Sequence, residues 1–349
     1  MQTMERTEKY RRCLVLPGGG FRFGYYLGIY AAAEDSGHQP DILLASCGGA
    51  IAAAVIAGLP DTQARFDWLT SADMYCFLRQ IRPTDRATPL RALQGVVLRW
   101  LDHTMASRIT DLFRCYLFDL PTALPLPGAL PTYGPAIAIV GARLLYRACD
   151  SGMKRGDRQL FAQIVLCPER AAALLHGTAA PAADPRWSGG AIAPILELEC
   201  DMPVAEAVRI SVADMVYFRN HAWAAQHYTG GVIDLFPIEL AHRLAHKVIM
   251  ERKAPFNPWF ALPALRSVLG IDGAARLRHV HSEHAHIWVD TRDVARALRD
   301  HSIEKKIDWR RNRISLVVPD THAAYVAQVR AQWQYGYRKG MAAFAGKQS

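Results

Sequence analysis

Residues 42 to 51 read Ile-Leu-Leu-Ala-Ser-Cys-Gly-Gly-Ala-Ile, an apolar strand that breaks into a sharp turn and re-emerges as an Ala-rich helix, with a cysteine at the apex. A nucleophile held on such a strand-to-helix turn is strained, so its flanking positions must be small, and here they are Ala45 and Gly49. The helix that follows aims its free N-terminal amides and the positive end of its dipole at the apex, which favours thiolate over thiol. Cys47 is therefore the first residue expected to carry chemistry, with a pKa below the ordinary thiol value. A buried cysteine in an apolar run is also simply a small hydrophobe, and the residues alone leave that reading open.

About thirty residues upstream a second strand breaks into glycines, Leu14-Val15-Leu16-Pro17-Gly18-Gly19-Gly20-Phe21-Arg22-Phe23-Gly24. Successive glycines leave backbone N–H groups unobstructed, as an oxyanion or a phosphate requires. The nucleotide readings fail on spacing. A dinucleotide loop needs G-x-G-x-x-G, which glycines at 18, 20 and 24 do not give. A phosphate loop needs Lys and then Ser or Thr after its last glycine, where this chain has Tyr25 and Tyr26.

Taken in this order and at this distance, the two turns resemble the patatin-like phospholipase family, in which a G-G-G-x-R/K-G oxyanion loop precedes G-x-S-x-G. Two later blocks extend the likeness. Pro203 to Ser211 resembles the helix before the family's final catalytic strand, and Tyr228-Thr229-Gly230-Gly231-Val232-Ile233-Asp234 resembles its D-G-G/A block. The resemblance covers roughly 13 to 60 and 196 to 242. It implies a patatin-like three-layer α/β sandwich, with a mostly parallel central sheet flanked by helices. The core is expected over 10–250, with a C-terminal extension over 251–349 packed on it. The resemblance further implies an oxyanion hole built from Gly18, Gly19 and Gly20 with Arg22, and a lipid ester as substrate.

The departures from the family bear on mechanism. Its catalytic serine is Cys47 here, its D-G-G aspartate is Thr229, and Phe23 replaces the glycine after the basic residue of the oxyanion loop. A thiol is already partly ionised at neutral pH, so it tolerates the loss of a carboxylate better than a serine does. A buried Asp beside the thiol would oppose ionisation by like-charge repulsion. On an extended strand His227 shares a face with Thr229 and is a candidate base. Asp234 reads as loop-forming. The expected function is an acyl hydrolase or acyltransferase working through a Cys47 acyl-enzyme on lipid esters or on acyl thioesters of coenzyme A or acyl carrier protein. The alternative is a catalytically inactive lipid-binding protein.

Bulk properties narrow the setting. With 349 residues, 51% of them hydrophobic, the chain can bury a large core. The polar, charged opening from Met1 to Arg12 does not read as a signal peptide, and the longest apolar run is about ten residues, too short for a span. Seven cysteines without C-x-x-C spacing read as reduced thiols. The expected location is cytoplasmic, at most peripheral to the inner membrane surface. A net charge of +9 suits an anionic partner, and the absence of a named nucleic-acid motif argues against nucleic acid. No cofactor and no metal are expected. His242 and His246 lack the glutamate of H-E-x-x-H, and the histidines at 279, 281, 284 and 286, read as a strand, divide between two faces.

The pattern predicts strands near 12–17, 41–46, 137–142, 162–167, 195–200 and 228–233. Helices are predicted near 22–35, 48–58, 62–80, 90–116 and 203–212. Phe118 to Pro135, with five prolines, reads as a loop. The segment 90–116 reads as an amphipathic surface helix or an interfacial one. Lys305 to Arg313 reads as a solvated basic hairpin.

Overall fold

The computed structural model describes residues 7–121, 123–127 and 134–346. Its centre is a mostly parallel sheet. Five strands run parallel in the order Ile287–Asp290, Ala245–Arg252, Tyr10–Leu16, Ile42–Ala45 and Ala136–Leu144. Phe161–Leu166 adds antiparallel to the last of these, Glu197–Glu199 adds parallel beyond it, and Gln226–Thr229 also pairs antiparallel with Ala136–Leu144. A parallel strand covered on both faces must be apolar throughout, and all four residues of Ile42–Ala45 are buried.

Period-2 alternation divides these side chains between two cores. Leu14, Leu16, Leu43 and Ala45 face the layer that holds the helices Gly24–Asp35, Gly48–Gly58 and His322–Ala345. Cys13, Val15, Ile42 and Leu44 face the other, which holds Ile238–Leu244 and Gly273–Ser282. The molecule is thus the three-layer α/β sandwich anticipated above. Residue 250 lies within a strand of the sheet, which continues to Ile287–Asp290.

The terminal helix His322–Ala345 crosses Gly24–Asp35 at backbone contact. A Cβ on Gly336 would overlap the Tyr25 carbonyl, and one on Gly28 the Trp333 carbonyl. The first of these helices follows directly on the glycine-rich loop, so the C-terminal helix buttresses that loop.

Several boundaries differ from expectation. The helix expected over 62–80 divides at Thr70, and Ser71 restarts it by accepting from the Met74 amide at 3.2 Å. The helix expected over 90–116 ends at Leu101, because the Arg266 guanidinium takes the Arg99 and Asp102 carbonyls at 3.2 and 2.8 Å. The chain beyond it turns inward and buries Ala106, Ile109 and Leu112. The strand expected near 228–233 is Gln226–Thr229, followed by a single helical turn, Gly231–Ile233. His279 and His281 lie on the helix Gly273–Ser282, capped by Asp272, and not on a strand. Of the loop expected over Phe118 to Pro135, Phe118–Asp119 forms a short ladder with Arg82–Pro83, while 122 and 128–133 lie outside the described residues. Among the described residues no helix is long and apolar enough to cross a membrane.

Candidate active site

Cys47 occupies the turn between the strand Ile42–Ala45 and the helix Gly48–Gly58 at φ 50° and ψ −124°. A positive φ in a residue other than glycine costs about 1–3 kcal/mol and persists only where the surroundings fix it. Here they do. The Ser46 amide donates to the Leu16 carbonyl at 3.0 Å and the Gly49 amide to the Ser46 carbonyl at 2.9 Å. The Cys47 amide donates at 2.9 Å to Ser211 Oγ, which in turn donates to the Val140 carbonyl at 2.8 Å. Ser46 Oγ reaches the Asp234 carbonyl at 3.0 Å. Small residues are required at the next two positions: a Cβ on Gly49 would overlap the Leu16 carbonyl, and one on Gly48 would sit 2.5 Å from the Gly20 carbonyl.

The glycine-rich loop therefore lies against the start of the elbow helix. A Cβ on Gly18 would stand 3.1 Å from Cys47 Cβ and 3.4 Å from its sulfur. Among the described residues the amides of Gly18, Gly19 and Gly20 donate to no protein acceptor. They remain available to an oxygen beside the sulfur. Arg22, grouped with them on the sequence, is engaged by Ser302 Oγ at 3.4 Å and by Glu304 at 3.8 Å.

The partner of the thiol is a residue that the sequence did not single out. Cys47 Sγ donates to Asp214 Oδ1 at 2.9 Å. Asp214 follows the helix Val204–Ser211 by three residues, and the turn is tied down by bonds from the Tyr217 and Phe218 amides to its carbonyl. Gly230 makes room for the carboxylate, since a Cβ there would fall 2.8 Å from Asp214 Oδ1 and 2.7 Å from the Ser211 carbonyl. A usable signal was present: Asp214 is the only acidic residue between Glu206 and Asp234.

Thr229, at the position of the family's aspartate, and His227, the candidate base, both bond elsewhere. Thr229 Oγ1 donates to the Ala213 carbonyl at 3.0 Å, which anchors the turn carrying Asp214. His227 Nδ1 bonds Asn220 Oδ1 at 3.0 Å, and its ring meets Phe113 edge-on. Asp234 accepts from the Phe236 amide at 3.3 Å and from Arg276 at 3.1 Å, a loop-holding role.

These contacts reverse the expected ionisation of the thiol. Burial and then the Asp214 charge push the Cys47 pKa well above the ordinary value, against the weaker pull of Lys253 and the Val232 amide. The dipole of the elbow helix does not overcome them, because desolvation of a residue only 4% exposed penalises the anion most. Burial also lifts Asp214, to about 6, with the thiol and the Val232 amide pulling it back down. At neutral pH the resting pair is a thiol hydrogen-bonded to a carboxylate.

A buried cation completes the site. Lys253, one residue beyond the strand Ala245–Arg252, donates to the Gly18 carbonyl and to Tyr26 Oη at 3.0 Å. It pairs with Glu251 at 3.4 Å, Glu251 accepts from Tyr25 Oη at 2.9 Å, and Tyr26 Oη donates to the Pro17 carbonyl. The ammonium thus fixes the direction of the Gly18 peptide and faces the sulfur with positive charge. Among the described residues no group of three or more His, Cys, Asp or Glu is placed to hold a metal ion.

A cysteine on a strained strand-to-helix turn, a carboxylate at its sulfur and free glycine amides nearby, at the strand ends of a mostly parallel sheet, are the parts that acyl chemistry on an α/β fold would need. The sequence matches patatin-like phospholipase over residues 14–242, and the chain belongs to that family. Among solved structures it is similar to VipD from Legionella pneumophila, at 13% identity and a TM-score of 0.31, covering 72% of this chain and 51% of that one. It is also similar to the type III effector protein ExoU, at 15% identity and a TM-score of 0.31, covering 95% of this chain and 53% of that one. The chain spans about half the length of each. No curated protein matches it.

Proposed function

We propose that the protein is a lipid acyl hydrolase in which Cys47 is the nucleophile and Asp214 its general base. The observation that carries this reading is the 2.9 Å bond from the sulfur to the carboxylate, with the free glycine amides beside it. The thiol attacks the ester carbonyl as its proton passes to Asp214. The amides of Gly18 to Gly20 stabilise the resulting oxyanion, a contribution of about 3–4 kcal/mol for each well-aimed donor. Collapse of this intermediate expels the lysolipid alkoxide, which takes the proton back from Asp214. The same carboxylate then deprotonates a water that attacks the thioester, and the departing sulfur is reprotonated.

The carboxylate answers the difficulty raised by the substitution of serine. A raised thiol pKa makes a poor resting nucleophile, and a base in hydrogen-bond contact removes the proton only as the bond forms. The thioester of coenzyme A or of acyl carrier protein is the second donor class, since a thiol exchanges with a thioester at little cost. A lipid binder without turnover is the second reading, favoured by the near-complete burial of the sulfur.

The test is the pH dependence of turnover. kcat/KM on a lysophospholipid or a soluble acyl ester should rise through an apparent pKa near 6, the value to which burial lifts Asp214, and level off above it. A rate that keeps climbing to pH 9, tracking free thiolate, would remove Asp214 as base.

A further inference from the structure

The helix Pro89–Leu101 turns its apolar stripe outward. Leu90, Leu93, Val97, Leu98, Trp100 and Leu101 are all exposed, Leu90 at 65%, while Pro89 is the one residue of this helix that is buried. Helical spacing puts 90, 93, 97, 100 and 101 on one face. Beside them stand Trp259 and Phe260, both more than half exposed, with the Trp259 ring stacked on Trp100 at 5.8 Å. A contiguous patch of large apolar side chains on this scale marks a surface that meets something apolar.

Three connections tie this patch to the elements that carry the site. Lys253 bonds the oxyanion loop and Trp259 follows it by six residues, a span of at most about 20 Å. The basic hairpin Glu304–Asp308 and Arg313–Val317 lies beside the segment that leads into the helix, through bonds from the Ile314 amide to the Ala87 carbonyl at 2.7 Å and from Arg313 to the Pro83 carbonyl at 3.4 Å. Its Lys305 reaches Tyr217 Oη at 2.6 Å, and the Tyr217 amide holds the turn that carries Asp214.

Charge identifies the occupant. Residues 82–101 and 304–317 hold nine basic and three acidic side chains, two-thirds of the chain's net charge of +9. The tip of the hairpin is Trp309-Arg310-Arg311, with Trp309 exposed at 66%. Aliphatic and aromatic side chains on an outward helix face, bordered by arginine, lysine and tryptophan, are the arrangement that sinks into the headgroup boundary of a bilayer while its cations stay with the phosphates. We propose that this face is the docking surface for an anionic phospholipid bilayer, seating the mouth of the Cys47 site on the lipid. The proposal rests on reading that site as a lipid acyl hydrolase, and it names the physical form in which the substrate is met.

The test separates docking from turnover. The purified protein is sedimented with vesicles of phosphatidylcholine alone or with about one-third phosphatidylglycerol. Cys47→Ala, which lacks the nucleophile, should bind the anionic vesicles as the parent does, and neither should bind neutral vesicles comparably. Leu93→Ser with Trp100→Ser and Trp259→Ser, and separately Arg310→Glu with Arg311→Glu, should lower partitioning at least tenfold. Both variants should keep the parent's thermal midpoint and its rate on a soluble short-chain ester. Equal sedimentation of parent and variants, or no binding of the parent to anionic vesicles, overturns the proposal. So does a concentration-dependent dimer in analytical ultracentrifugation that the serine variant abolishes, which would assign the face to a second copy. Loss of soluble-ester turnover in the parent would instead strike at the catalytic reading and leave docking standing.

Discussion

Replacing Asp214 with asparagine is expected to lower kcat about 10²- to 10⁴-fold, the range that general-base catalysis supplies, and at the same time to make the fold more stable at neutral pH. The two effects share one cause. Asp214 is buried, and its carboxyl titrates near 6 in place of the ordinary value of 3.8. The native state therefore holds this proton more tightly than the unfolded chain does. As far as this group is concerned, stability is greatest below about pH 4, is lost as the pH rises to about 6, and stays reduced above that. Two pKa units correspond to roughly 3 kcal/mol. Asparagine carries no charge to desolvate, so the variant should melt a few degrees above the parent at pH 7, with the difference vanishing near pH 4. Thermal midpoints of both proteins over pH 4–8 measure it. Removing the anion also lowers the thiol pKa, so Cys47 in the variant should react with iodoacetamide faster at pH 8 while turnover falls. A variant that loses activity without gaining stability or thiol reactivity would place the charge of Asp214 somewhere other than against the sulfur.

The second large effect is structural. Gly336→Ala should cost about 3 kcal/mol or more, because the added methyl meets the Tyr25 carbonyl, a backbone group that cannot swing aside. The consequence reaches the site. Tyr25 and Tyr26 connect that helix to Glu251, to the Pro17 carbonyl and to Lys253, so pushing the helices apart pulls on the glycine-rich loop. Urea denaturation should show the loss. Gly346→Ala, at the end of the same terminal helix, has nothing closer than 3.9 Å to its added methyl and should stay within about 0.5 kcal/mol of the parent. Equal midpoints for the two variants would show that the terminal helix does not close-pack on the first.

What the sequence revealed and what it hid follow from the range of the interactions involved. The elbow was legible because strand, turn, small residues and helix are all local to residues 42–58, and the glycine loop for the same reason. Alternation over Cys13 to Leu16 already separates the two cores. Asp214 was hidden because its proximity to Cys47 is purely tertiary, across 167 positions of chain. The Thr229 position drew attention as the place where the family keeps its acid, yet here it serves to hold the Asp214 turn. Lys253 was hidden in the same way, since only the pairing of Ala245–Arg252 beside Tyr10–Leu16 brings it to the glycine-rich loop. The apolar period of residues 90–101 announced a stripe but not its direction. That depended on what packs beneath the helix, and the stripe faces out.

In the proposed mechanism the acyl group passes through a thioester on Cys47 with Asp214 as the base. Its most direct test is the intact mass of the protein, quenched in acid during turnover of a long-chain lysophospholipid or an acyl thioester. A species heavier by one acyl chain is expected, mapped by peptide analysis to Cys47, absent from Cys47→Ala and slow to form in Asp214→Asn. Turnover by the parent with no such species, or turnover undiminished in Cys47→Ala, would contradict it.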